Sequence, residues 1–461
     1  MIDVIQVDLP SFGCDAGRPG IPVAVHEARL QAAAERMGRA RLDGLVVYGD
    51  REHFANLAYL TGFDPRFEEA LLLLNADGGR RLIVGNECMG YLPDAALACD
   101  VERFQEFSLP GQPRDQSRPL GQILSDFGIG AGRRIGCVGW KCFSSDRVPG
   151  GPEAIDLPSF LVDLLRELTG GPGRVVNATG LFMGLADGLR LTCEPEQIAD
   201  FEYASAITSQ GVLAVLRHLD EGVEEADLEK HLDSAGLPLS CHRMIGFGDK
   251  ARRGLASPSN RRAHLGDPFT VGFGVTGSLT CRAGCVARGP SDLPAETRDV
   301  FARLAANYFD VVAAWYEHVR VGATGGEVFA AAESRRDASL YDFAVNPGHC
   351  MHLDEWVHSP FSPGSSVELR SGMALQMDII PVSKGPFCYV NAEDGLVLAD
   401  EPLRQVLRDR FGGLWRRVQA RRAFLGDALG IALDESVLPL SNAPALLPPY
   451  AMRTDHVLAR R

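Results

Sequence analysis

The stretch from Asn346 to Asp400 carries three pieces that decide how this chain is read: NPGHCMHLDEWVHSP (346–360), SGMALQMDIIPVSKGP (371–386) and NAEDGLVLAD (391–400). The apolar runs of the second and third predict strands over residues 374–381 and 395–398. They set His349, His352, His358, Asp378, Glu393 and Asp394 on or beside those strands. Imidazoles next to carboxylates bind a transition metal or carry general acid and base catalysis. Taken singly, His352, His358 and Asp354 read as solvent-facing or turn residues, so the order of the pieces carries the weight.

Upstream of this stretch, the alternation around GDPFTVGFGVTGSLTCRAGCVARG, which begins at Gly266, predicts strands over 269–275 and 279–287, followed by a helix over 295–318. A further helix is predicted over 225–235. Glu194-Pro195-Glu196 reads as the opening of a long helix, because proline is tolerated in a first turn and acids suit an N-terminus. Gly170 to Gly173 mark a break before it. Further back, VAVHEARLQAAAERMGRARL from Val23 repeats apolar residues at helical spacing, and GLVVYGD, ALLLLNAD, RRLIVGNE and RIGCVGW read as strands. The fold class is α/β (α+β), with an α/β domain over 1–190, a second domain over 191–405 and a helical extension over 406–461.

Bulk properties fit two ordinary globular domains. The chain has 461 residues, 46% apolar and 23% charged, which exceeds what one core usually supports. A formal charge of -14, with no lysine-rich stripe to reverse it locally, speaks against nucleic acid or an anionic membrane surface as partner. No stretch approaches the roughly 18 apolar residues of a membrane span, and the start lacks a signal pattern, so a cytoplasmic protein is the expectation. Eleven scattered cysteines without CxxC spacing indicate neither a disulfide scaffold nor a zinc ribbon.

A glycine-histidine turn, a Gly-Met strand ending in an acid and proline, and an acid-aspartate-glycine strand together resemble the catalytic half of the pita-bread family of creatinase, prolidase, aminopeptidase P and methionine aminopeptidase. ANLAYLTGFDPRFEEALLLL and LRLTCEPEQIADFEYASAITSQGV resemble that family's amino-terminal domain and the opening of its catalytic domain. The resemblance spans about residues 25–405 and implies a creatinase-like N-terminal α/β domain followed by a pita-bread domain. It places His349 at the histidine ligand, Asp378 at the first glutamate ligand and Glu393 at the second. His358 is similar to the substrate-facing histidine. It also implies a homodimer, with Glu68 and Glu69 on a loop that family dimers project into the neighbouring site.

The pattern departs where dinuclear members carry two aspartates. Those positions fall at Gly272 and at Cys281 to Ala283, and neither acid is present. What remains is too small for a dinuclear cluster and favours no metal cofactor. If one divalent ion (Mn, Fe, Zn or Co) binds, its ligands are His349, Asp378 and Glu393, with Cys281 or Cys285 as a further donor if either points inward. Arg282 in the site would repel a cation, but alternation puts Arg282 and Cys281 on opposite faces, so only one of them faces the pocket. The metal-free precedent in the family, creatinase, uses a histidine at a position that here falls near Leu255, so proton transfer passes to His349 or His358, assisted by Asp378 or Glu393.

An acid-lined pocket suits a small cationic or zwitterionic molecule or a short peptide, and Arg66, Arg253 or Arg282 suits its carboxylate. Three functions stand: a hydrolase of a C–N bond, metal-independent or at most mononuclear; an Xaa-Pro-type metalloaminopeptidase with one ion; and a non-catalytic pseudopeptidase that binds ligand. Catalytic candidates are His349, His358, Asp378 and Glu393, and substrate-binding candidates are Arg282, Glu68, Glu69 and Arg66.

Overall fold

The chain opens on a short strand, β1 (Ile2–Gln6), whose partner lies at the other end of the sequence. The computed structural model describes residues 2–9, 11–143, 147–385 and 389–461. These fold into two compact units, one of residues 21–191 and one that combines residues 1–20 with 192–461.

In the unit of residues 21–191, the apolar runs read as strands form β2 (Gly44–Gly49), β3 (Ala70–Asn75), β4 (Arg80–Val84), β5 (Asp100–Arg103), β6 (Ile135–Val138) and β7 (Val175–Asn177). They make one six-stranded sheet in the order β5-β4-β3-β2-β6-β7. Pairing is antiparallel within β2-β3-β4 and parallel at both ends. Leu161 and Leu165 of the helix Ser159–Thr169 pack on Val46, Leu71, Leu73 and Ile83 of the sheet. A sheet so covered needs apolar residues without alternation, and ALLLLN supplies them.

The larger unit holds β8 (Met244–Phe247), β9 (Pro268–Val275), β10 (Ser278–Cys285), β11 (Tyr341–Phe343), β12 (His349–Cys350), β13 (Ala374–Asp378), β14 (Pro381–Ser383), β15 (Asn391–Leu398), β16 (Val437–Pro439) and β17 (His456–Arg460). Its main sheet runs β12-β13-β15-β10-β9-β8, antiparallel throughout, with β16 added to β15. Phe269, Val271 and Phe273 point from β9 to the same core as Val212, Val215 and Leu216 of the long helix Pro195–His218. The opposite face of the sheet is therefore left for polar groups. Proline at the first turn begins this helix as the sequence suggests, and the helix Ala295–His318 has the predicted bounds.

Two expectations about domain extent are corrected. Residues 1–20 belong to the larger unit because β1 pairs with β17 along five residues, from Ile2 opposite Arg460 to Gln6 opposite His456. Asp15 with Arg417, and Gly13 with Asn442, fasten the same segment. The segment after 405 is not only helical, since β16 and β17 complete sheets that the rest of the chain begins. Its Arg421 is fully buried on Glu202, an ion pair whose loss strands a charge in the interior. The ten described cysteines are free, and among the described residues no helix is long and apolar enough to cross a membrane.

Candidate active site

Strand register builds the site as a row. Met244 pairs with Gly272, Gly272 with Cys281, Cys281 with Glu393, and Glu393 with Asp378, so one position from each of five neighbouring strands falls in line. Side chains of directly paired residues share a face, which puts the Cys281 thiol and the two carboxylates side by side. His349 joins from β12, where it pairs with Gln376, two residues before Asp378 and hence on the same face. Gly348 precedes it with φ at 105°, and a Cβ there would lie 2.8 Å from the Gln376 carbonyl, so the turn that delivers the imidazole requires glycine. Trp315 fixes that turn by donating its indole N–H to the Pro347 carbonyl at 2.7 Å.

The result is a tight buried cluster. His349, Asp378 and Glu393 each offer a ligand atom, and those atoms lie within 4.8 Å of one another. His349 Nε2 is 3.8 Å from Glu393, 4.0 Å from Asp378 and 3.0 Å from Glu355. Its Nδ1 lies 3.3 Å from the Cys350 carbonyl, which favours the proton on Nδ1 and leaves Nε2 facing the acids. Burial pulls the imidazole down, but Glu355, Glu393 and Asp378 outweigh it and raise it to about 10. Burial and then the Glu393 charge push Asp378 well above the usual carboxylate range, and burial raises Glu393 above its ordinary value. Glu355 is held below its ordinary value because His349 overcomes its burial.

A cleft of about 660 Å3 opens onto this cluster. Glu355, Asp378 and Glu393 line it along with Cys281, Trp356 and Tyr389. Trp356 stacks on His349 at 4.1 Å, covering one face of the imidazole. Toward the mouth stand Arg252 and Arg253, with the exposed apolar side chains of Leu255, Val345 and Val382.

Of the residues expected from sequence, His349, Asp378 and Glu393 come together. His358 does not join them: its backbone pairs with Cys350 and its Nδ1 accepts from the Ser359 N–H at 2.9 Å. Glu355 and Trp356 stand against the imidazole instead. Sequence reading missed both, because they lie in a loop where no periodicity reports orientation. Arg282 is among the residues lining the cleft, but its guanidinium is engaged elsewhere. Its guanidinium points to the opposite face of the sheet and binds Asp394 at 2.8 and 2.9 Å and the Leu446 carbonyl at 2.6 Å. Cys281 therefore takes the cleft side, as alternation demands once Arg282 is placed.

The amino-terminal candidates hold local structure. Glu68 is buried and accepts from the backbone N–H groups of Glu87 and Cys88 at 3.1 and 3.0 Å, so its carboxylate is already engaged. Glu69 accepts from the Tyr48 hydroxyl. Arg66 adopts φ of 47° in a turn with Asp64, its guanidinium 3.3 Å from that carboxylate.

The donors fit one metal ion. Asp378 Oδ1 is buried with no hydrogen-bond partner among the described residues, and it belongs with His349 Nε2 to the converging trio. They do not fit two. A Cβ at Gly272 would meet the Met244 methyl at 2.7 Å and the Cys281 sulfur at 3.0 Å, so the place of the missing aspartate is filled by other side chains.

A creatinase-type α/β unit joined to a sheet with a histidine and acids on its inner face defines a class of hydrolase. Residues 199–401 match metallopeptidase family M24, and residues 29–143 match the creatinase/prolidase N-terminal domain. Dipeptidase PepE from Mycobacterium ulcerans has a similar structure, with 21% identity, a TM-score of 0.63, and coverage of 94% of this chain and 99% of that one. The prolidase from Pyrococcus horikoshii matches with 16% identity and a TM-score of 0.60 over 81% and 95% of the two chains. Aminopeptidase PepP of Pseudomonas aeruginosa gives 15% and 0.59 over 94% and 97%. No curated protein sequence matches the chain. The chain belongs to the creatinase and aminopeptidase P family, with a pita-bread domain following its creatinase-type domain. By that membership it is a hydrolase of C–N bonds.

Proposed function

We propose that this protein hydrolyses a C–N bond in a small cationic or zwitterionic molecule or a short peptide, with at most one divalent ion in its site. The observation that carries this reading is the cross-strand row, in which Gly272 and Cys281 stand beside Glu393 and Asp378 while Met244 covers Gly272. The similar structures are of a dipeptidase, a prolidase and an aminopeptidase, which favours short peptides within that substrate class.

His349, Asp378 and Glu393 would hold the ion. When bound, it supplies a Lewis acid for the scissile carbonyl and a more acidic water. Glu355, ionised beside His349, is placed to take the proton of the attacking water and return it to the leaving nitrogen. The acidic floor attracts a substrate amine, and Arg253 at the mouth pairs with a carboxylate at the other end. Trp356 shields the imidazole from solvent, which strengthens the charge interactions below it.

The test combines elemental analysis with turnover on a panel of dipeptides, N-acyl amino acids and amidino acids, with chelator and with added Mn2+ or Zn2+. The expected result is C–N hydrolysis that Glu355→Gln abolishes, with no more than one ion per chain. Two ions per chain, or no hydrolysis under any of these conditions, would sink the reading.

A further inference from the structure

Three large apolar side chains stand exposed around one opening. Leu255 is 70% exposed, Val382 52% and Val345 41%, and all three line the cleft that holds Asp378 and Glu393. Val345 and Val382 belong to the ribbon of β11 and β14, where Phe343 pairs with Pro381 and Asp342 with Val382, and the Ala344 N–H donates to the Ile380 carbonyl at 2.9 Å. Leu255 comes from the loop after β8. There Gly254 sits at φ 62° and ψ -59°, and the Leu255 N–H donates to the Arg253 carbonyl at 2.6 Å, so Gly254 is the centre of a tight γ-turn. Nothing lies within 4 Å of where its Cβ would stand, so backbone conformation alone calls for glycine. The turn delivers Arg253 and Leu255 to the cleft side by side. The loop is fastened at two points: His242 Nε2 donates to the Leu255 carbonyl at 2.6 Å, and buried Glu225 accepts from the Ser259 N–H at 2.9 Å and from Lys250.

Exposed apolar groups that converge on a cleft mark what the cleft binds. Arg252 is engaged with Asp249 at 3.3 Å, whereas the Arg253 guanidinium has no ion-pair partner among the described residues. We propose that the Arg253-Gly254-Leu255 turn and the β11–β14 ribbon clamp the leaving half of the substrate, an amino acid with a free carboxylate and a long apolar side chain such as leucine or phenylalanine. This rests on the C–N hydrolysis proposed above and names the half of the substrate that departs. The guanidinium pairs with the carboxylate, and Leu255, Val345 and Val382 lose their contact with water against the side chain, a gain that only an apolar ligand supplies. A proline ring folds back on its own backbone and projects nothing toward the rim. A charged side chain would be desolvated there without a partner.

Calorimetric binding to the full chain tests the clamp without requiring turnover. N-acetyl-L-leucine should bind at least about 10-fold more tightly than N-acetylglycine, N-acetyl-L-proline, N-acetyl-L-aspartate or N-acetyl-L-leucinamide. Leu255→Ser and Val382→Ser should each shrink the preference for leucine over glycine and keep the preference for carboxylate over amide. Arg253→Met should do the reverse. Gly254→Ala, which meets no neighbouring atom but disfavours the γ-turn, should weaken both preferences. Leu265→Ser, at an exposed apolar residue in the turn before β9, should change neither. Equal binding of the leucine and glycine derivatives, tighter binding of the proline derivative, or a leucine preference untouched by Leu255→Ser overturns the assignment. Self-association that Leu255→Ser abolishes, with ligand preference unchanged, also overturns it, since the rim then covers a second copy. Hydrolysis of dipeptides without regard to the leaving side chain removes the clamp alone, whereas the leucine preference in binding without turnover of any dipeptide keeps the clamp and removes the proposed hydrolysis.

Discussion

Adjacent residues on the same two strands meet opposite fates in this protein. Arg282 and Asp394 face the outer side of the sheet, where the guanidinium finds two carboxylate oxygens and main-chain carbonyls, and Asp394 also accepts from the Ala445 N–H at 3.0 Å. Cys281 and Glu393, one residue earlier on each strand, face the cleft, where acids crowd one imidazole and Asp378 Oδ1 has no hydrogen-bond partner among the described residues. Both sides bury charge. The outer side balances it and so contributes to a fixed structure; the inner side leaves it unbalanced and so retains affinity for a cation, a proton or a substrate amine.

The sharpest way to break this contrast is to remove a charge from each face. Arg282→Met leaves Asp394 buried without its cation and should cost about 3–5 kcal/mol, read as a fall in the urea midpoint at constant slope. If that variant kept its stability, the outer pair would not be the structural element claimed. Glu393→Gln on the inner face should lower turnover by roughly 100-fold or more while leaving the metal-stripped protein at least as stable as wild type, because it relieves repulsion with Asp378. A large stability loss there would make the inner face structural as well.

The pH dependence separates the faces in a second way. In metal-stripped protein the His349 imidazole, raised from 6.5 to about 10, is stabilising in its protonated form. That contribution is complete below pH 6.5 and is lost as pH rises toward 10. Denaturation of the chelated protein should therefore become easier across this window, and Glu355→Gln should flatten the trend. A flat profile in wild type would contradict the charge arrangement around His349. The smallest expected effect is at Gln376, which donates to the Leu279 carbonyl at 2.7 Å and to Glu393 at 3.2 Å. Gln376→Met should cost about 1 kcal/mol and lower kcat more than it raises KM, since it loosens Glu393 without touching substrate.

Much of the fold was legible in the sequence because strong local signals agreed with it. Pro195 at the start of a long helix, the apolar run at 71–74 and the bounds 295–318 are properties of neighbouring residues, and neighbours dictate them. The trio His349, Asp378 and Glu393 was legible only through the order of three motifs, and its convergence then follows from strand pairing. Glu355 and Trp356 were not legible, since a loop carries no period to report which side chain turns inward. His358, expected to face the substrate, lies in the same loop and is not gathered with the trio.

The sequence by itself determined the chemical inventory of this protein: a histidine and two acids kept, two aspartates missing, a cysteine and an arginine side by side where one of them belonged. It could state that Cys281 and Arg282 point to opposite faces, because a strand alternates, but not which face is which. Only the tertiary structure decided that, by placing Asp394 and the carbonyls of 443–446 on the outer side to receive the guanidinium. The same decision turned the thiol inward. Strand geometry is local and written in the sequence, whereas the partner that selects a face comes from residues more than 100 positions away.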